Sequence, residues 1–201
     1  MRVSRLALES LVASAGTDVG KLGGALAARL RQGSACKVRA LGPKALEQAL
    51  RAVLRCRYWL QKEQPEMDTW LAVERVDSKE KEIAAELHLD CRLLQKKPAK
   101  EEDMLVSQKT NVGQAGSFVA SRLAEEPQQA VALRSVGAGA ASQALKAVAI
   151  ARRYVERAHP GEDLLVCPRE ESKPDSASSD GRHLRQLVLV CHRTRSESPA
   201  E

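Results

Sequence analysis

Thr17-Asp18-Val19-Gly20 recurs as Thr110-Asn111-Val112-Gly113, and Gly23 and Leu30 recur as Gly116 and Leu123, all displaced by 93 positions. Farther along, Gly42, Ala45, Gln48, Ala49, Leu50, Ala52, Val53 and Arg57 recur as Gly137, Ala140, Gln143, Ala144, Leu145, Ala147, Val148 and Arg152, now displaced by 95. The loop between the two blocks is therefore two residues longer in the second copy. Cys91 and Cys191 fall near equivalent ends. Order, spacing and residue type are kept together, so the chain is a tandem duplication, and both copies must satisfy one fold.

Each copy reads as a short strand, a helix, a strand, a longer helix and two closing strands. The first strands are Leu8–Ser14 and Met104–Gln108. Thr-Asp or Thr-Asn then caps a helix, Val19–Arg31 or Val112–Ala124. Lys37–Leu41 and Ala130–Val136 are the second strands, and Ala45–Lys62 and Ala141–Arg157 the main helices. Thr69–Arg75 with Glu82–Leu93, and Asp163–Pro168 with His183–Arg193, close the two units. The order β-α-β-α-β-β predicts an α/β sandwich, two helices on one face of a four-stranded sheet, built twice.

The first repeat is read as 1–94, a linker as 95–103, the second repeat as 104–194 and a polar tail as 195–201. Glu170–Gly181, rich in Ser, Asp and Pro, reads as a solvated, disordered loop between the last two strands. Only 2% of residues are aromatic, so the cores must be built from Leu, Val and Ala. Five cysteines without a CxxC pair fit buried thiols in a reducing intracellular compartment, cytoplasmic or nuclear. Residues 1–15 carry two arginines and a short apolar run, a weak organelle presequence by composition, but the repeat explains them better as a strand. No apolar run is long enough to span a bilayer, so no membrane is expected.

No arrangement of residues predicts catalysis, a metal or a small-molecule substrate. Cys191 and His192 are adjacent and point to opposite faces of a strand, one buried and one exposed. His88 and Cys91 also face apart. Gly137-Ala138-Gly139 opens a helix and invites comparison with a phosphate cradle. It lacks the third glycine and downstream acid of a dinucleotide site and the Gly-Lys-Ser/Thr of a P-loop, so no cofactor is expected and tight packing of the turn is favoured. Gln48 and Gln143 recur at one helix position, where they either cap the turn backbone or contact a ligand.

The second copy resembles the stage V sporulation protein S family in Gly137-Ala138-Gly139-Ala140 followed by Gln143-Ala144-Leu145-Lys146-Ala147-Val148-Ala149-Ile150-Ala151-Arg152. Gly24-Ala25-Leu26-Ala27 of the first copy resembles it too. The first copy departs at Gly42-Pro43-Lys44 and at Arg55-Cys56-Arg57-Tyr58-Trp59. The resemblance implies two tandem Alba-like sandwiches and a nucleic-acid-binding module, with a role in gene expression or development. It also implies binding through the sheet edge, first loop and last hairpin, and self-association by Alba-like pairing or as an intramolecular pseudo-dimer.

The net charge of +6 fits DNA or RNA as the partner. The candidate phosphate-binding residues are Lys37, Arg39, Lys44, Arg51 and Arg55 in the first copy, and Lys109, Arg134, Lys146, Arg153, Arg182 and Arg185 in the second. With so few aromatics, backbone-dominated binding without base stacking is expected. The alternative is a non-catalytic scaffold subunit using Tyr58, Trp59 and Trp70 at a protein interface.

Overall fold

A computed structural model describes residues 10–76, 86–174 and 183–195. The chain divides into two compact units, Met1–Lys96 and Lys97–Glu201. The first unit runs β1 (Leu11–Ala13), α1 (Val19–Arg31), β2 (Cys36–Leu41), α2 (Pro43–Glu63), β3 (Met67–Val76) and β4 (Glu86–Gln95). The second repeats this as β5 (Glu101–Val106), α3 (Val112–Glu125), β6 (Ala130–Ser135), α4 (Ala138–Ala158), β7 (Glu162–Pro174) and β8 (His183–Arg195). Strand order is β1-β2-β4-β3 in the first unit and β5-β6-β8-β7 in the second. The first pair is parallel in each, and the others are antiparallel.

The recurring residues build these units. Thr17 Oγ1 accepts from Ser14 N–H at 2.7 Å and Thr110 Oγ1 from Ser107 N–H at 2.9 Å, closing the first loop. The next residue caps the helix: Asp18 Oδ1 accepts from Lys21 N–H at 3.0 Å, Asn111 Oδ1 from Gln114 N–H at 3.1 Å. Gly23 and Gly116 let the helices meet. A Cβ on Gly23 would lie 2.9 Å from the Ala52 carbonyl, and one on Gly116 would lie 2.9 Å from that of Ala147. The core is Leu, Val and Ala, with Leu26, Leu30, Leu50 and Leu89 fully buried in one unit and Leu123, Leu133, Leu145 and Leu164 in the other. Burial of these side chains supplies most of the driving force for folding.

Three boundaries in charged segments differ from expectation, for one reason. The linker shrinks from 95–103 to 96–100, because β4 includes Gln95 and β5 begins at Glu101. The expected loop from Glu170 is strand as far as Pro174, with Glu170 opposite Leu187 and Pro174 opposite His183. The expected tail begins one residue too early, because Arg195 still pairs with Glu162. These segments look too charged for strands, yet their carboxylates are neutralised in place. Arg169 binds Glu101 at 2.6 and 2.9 Å, Arg122 binds Glu102 at 2.7 Å, and Arg193 Nε lies 2.8 Å from Glu162 Oε2. Residues 175–182, including the rest of the expected loop and Arg182, lie outside the described residues, as do 1–9 and 196–201.

Candidate nucleic-acid interface

The sheet cations are already matched by acids. Lys37 and Arg39 do share the outer face of β2, alternating with buried Cys36, Val38 and Ala40. Arg39 then binds Glu86 at 2.6 and 3.2 Å, which raises the arginine pKa, and Lys37 lies 3.7 Å from Glu74. In the second unit Arg134 is only 11% exposed in its side chain. Its Nε lies 2.7 Å from Asp103, and its second nitrogen donates to Glu171 at 2.5 Å. Burial opposes its charge, but these carboxylates outweigh burial and raise its pKa. Arg185 is exposed on β8 and Lys109 on the loop after β5.

The two helix-opening turns share one backbone geometry. Gly42 has φ 84° and Gly137 has φ 83°, and a Cβ at either would meet nothing within 4 Å. These glycines answer to a left-handed conformation, not to the tight packing expected of the turn. Gly139 is the packing glycine: a Cβ there would lie 3.1 Å from Gln108 Cβ. Gln48 donates to the Ala15 carbonyl at 3.4 Å and Gln143 to the Gln108 carbonyl at 3.2 Å. Each amide therefore ties its helix to the backbone of the first loop. A cleft of about 510 Å3 opens here, lined by Val106, Gln108, Arg134, Gly137, Gly139 and Gln186 among others. Among the described residues that line it, the charged one is Arg134, already shared by two carboxylates.

The outer faces of the long helices are different. Arg51, Arg55, Tyr58 and Lys62 are four, three and four residues apart on α2, so they form one stripe, and all four are exposed. Arg51 meets the i,i+4 partner Glu47 at 2.8 Å, with Arg51 exposed and Glu47 half-buried. The Arg55 guanidinium lies 5.9 Å from the centre of the Trp59 ring, and Lys62 Nζ lies 4.3 Å from that of Tyr58. Hydrogen bonding to Lys62, with its charge, lowers the Tyr58 pKa. Lys44 is exposed at the start of the same helix. Displaced by 95, α4 carries Lys146, Arg153, Tyr154 and Arg157 at the positions of Arg51, Tyr58, Trp59 and Lys62. Among the described residues, Lys44, Lys109, Lys146, Arg157 and Arg185 make no ion pair.

A family model for Stage V sporulation protein S matches residues 9–87 and again 102–173, about three quarters of the chain. The chain belongs to the Stage V sporulation protein S family. It carries the family's unit twice, and no curated protein matches it.

In this Stage V sporulation protein S duplication, most residues that advertise the repeat hold the fold together. Arg57 binds Asp68 at 2.5 and 2.9 Å, and Arg152 binds Asp163 at 2.6 and 3.1 Å. Neither aspartate is conspicuous in the sequence. Lys62, Tyr154 and Arg157 are also missing from the sequence-predicted surface, although their helical spacing from Arg51 and Lys146 is a usable signal; Tyr58 is exposed as an interface residue should be, while Trp70 is buried. All five cysteines are free and buried, and desolvation pushes the Cys56 thiol up to about 12. Cys191 and His192 are both buried, not one inside and one exposed. Burial, aided by Lys97 and Arg169, lowers the His192 pKa to about 4. Among the described residues no three His, Cys, Asp or Glu side chains are grouped to hold a metal, and no helix is long and apolar enough to cross a membrane.

Proposed function

We propose that this protein binds DNA or RNA through its phosphates, with low sequence specificity, and that the outer faces of α2 and α4 are the contact surface. The observation that carries this reading is the exposed cation stripe, Arg51, Arg55 and Lys62 on α2, echoed on α4 by the exposed Arg153 and Arg157 and the half-buried Lys146. On α2 Arg51 meets Glu47 of its own helix at 2.8 Å and Arg55 and Lys62 lie over the Trp59 and Tyr58 rings, whereas Lys37, Arg39 and Arg134 on the sheets face carboxylates of neighbouring strands at 2.5–3.7 Å. Lysine and arginine that face water release counterions from nucleic acid when they bind; those already paired gain little. The reading therefore moves binding from the sheet to the helices. An Alba-like mode of pairing, an enzyme-free role and service in gene expression remain part of the proposal. They rest on the family resemblance and on the arrangement of cations.

The test is a salt titration of the full chain against DNA and RNA. Binding weakens with salt, and replacing both Arg51 and Lys146 by alanine lowers the slope of log affinity against log salt by about two. Replacing Lys37 and Arg39 leaves it nearly unchanged. Absence of binding at low salt overturns the reading and returns the chain to the alternative of an interaction scaffold.

A further inference from the structure

The aromatic side chains of this chain are few, and two are spent on water. Of five aromatics, Tyr58 is 52% exposed and Tyr154 is 45% exposed. Each stands among cations on the outer face of the long helix of its unit. Tyr58 lies between Arg55 and Lys62 in the α2 stripe, and Tyr154 lies beside Arg153 and three residues before Arg157 on α4. A core built from Leu, Val and Ala has use for aromatic rings, so their placement outside it wants a reason. Lys62 covers one face of Tyr58 with its ammonium at 4.3 Å, which helps hold the ring in place. Trp59 is seated on α1, its ring 3.9 Å from where a Cβ of Gly24 would stand. A stripe from Arg51 to Lys62 is about 17 Å long at 1.5 Å per residue, enough to follow several nucleotides.

An exposed ring set among cations on each long helix suits unpaired bases. In a duplex the base faces are stacked on one another and unavailable, and phosphates are the only part a helix face of this kind can reach. In a single strand each base offers a free face to an aromatic ring while its phosphate meets the neighbouring cation. Resting on the nucleic-acid reading above, we infer that the ligand is single-stranded nucleic acid, with bases stacked on Tyr58 and Tyr154 and phosphates held by Arg51, Lys62, Lys146 and Arg157. This reverses the expectation that base stacking plays no part.

The experiment measures fluorescence anisotropy of the full chain with three labelled probes of equal length: oligothymidylate, an abasic oligomer, and a duplex. Oligothymidylate binds about tenfold tighter than the abasic strand and tighter than the duplex. Tyr58→Ala with Tyr154→Ala removes that tenfold preference and leaves the abasic affinity and the salt slope unchanged, because the cations remain. Tyr58→Phe with Tyr154→Phe retains the preference. Both tyrosines are exposed, so the variants keep their fold, which circular dichroism verifies. Equal affinity for oligothymidylate and the abasic strand, tighter binding of duplex, or indifference to the alanine pair overturns this inference while leaving phosphate binding intact. No binding of any probe at low salt overturns the nucleic-acid reading as well.

Discussion

Arg152 holds Asp163 through two hydrogen bonds of 2.6 and 3.1 Å, and 95 positions earlier Arg57 holds Asp68 in the same two-pronged way. Each aspartate also accepts the N–H of the next residue, Leu164 at 2.7 Å and Thr69 at 2.8 Å. The pair therefore joins the far end of the long helix to the first residues of the following strand. It is the same fastening in both units, and it is among the strongest kinds of hydrogen bond a protein makes.

Removing Arg152 leaves the buried Asp163 carboxylate uncompensated, so Arg152→Ala destabilises the protein by about 3 kcal/mol, measured by urea unfolding; Asp163→Ala costs less, because Arg152 is 20% exposed and keeps Glu156 at 3.3 Å. Replacing both together costs less than the sum of the two, and a double-mutant cycle reads the coupling. Strict additivity would mean the pair contributes nothing as a pair.

Two glycines of α1, adjacent in sequence, respond oppositely to alanine. At Gly23 the new Cβ lies 2.9 Å from the Ala52 carbonyl, a backbone atom that cannot yield, so Gly23→Ala is destabilising by about 1–3 kcal/mol. At Gly24 the nearest atom is 3.9 Å away on Trp59, and alanine adds helix propensity, so Gly24→Ala stabilises by up to about 1 kcal/mol. Thermal unfolding separates the two signs. Gly116→Ala follows Gly23, with Ile150 at 2.7 Å and the Ala147 carbonyl at 2.9 Å.

The pH dependence of stability carries the mark of His192. Its pKa falls from 6.5 to about 4 in the folded chain. Above pH 6.5 neither state binds the proton and stability is whole. As pH drops below 6.5 the unfolded chain takes up a proton that the buried imidazole refuses, so stability is lost until about pH 4, where the folded chain is protonated too. The loss from this one group is about 3 kcal/mol. In His192→Gln the slope of stability between these pH values is correspondingly shallower, as denaturant titrations at several pH values would reveal.

Gly139 and Gln108 are a matched pair, and the first copy has exchanged the sizes. Lys44 stands at the position of Gly139, and Ala15 at that of Gln108. A large side chain is present once in each pair. Gly139→Lys alone crowds Gln108, whose Cβ would sit 3.1 Å from the new one, and destabilises by about 1 kcal/mol or more. Adding Gln108→Ala recovers most of that loss. No recovery in the double variant would show that the two sites are independent.

The tandem repeat, the order of elements and the family are all legible in the sequence for a physical reason. Thr17, Asp18, Gly23, Gly42, Gln48 and Arg57 each meet a local or helix-to-strand requirement that few residue types can satisfy, so the second copy keeps them almost unchanged. The strand ends around Gln95–Asp103 and Glu170–Pro174 are not legible, since a run of acids reads as solvated chain until an arginine from elsewhere in the fold is seen to neutralise it. The same holds for the candidate site. Lysines and arginines look alike along a sequence, and only the tertiary structure decides that Arg134 is shared by Asp103 and Glu171 while Arg55 and Lys62 stay exposed beside aromatic rings. Charge compensation depends on which residues folding brings within a few ångströms, and that is written in the packing of strands far apart in the chain.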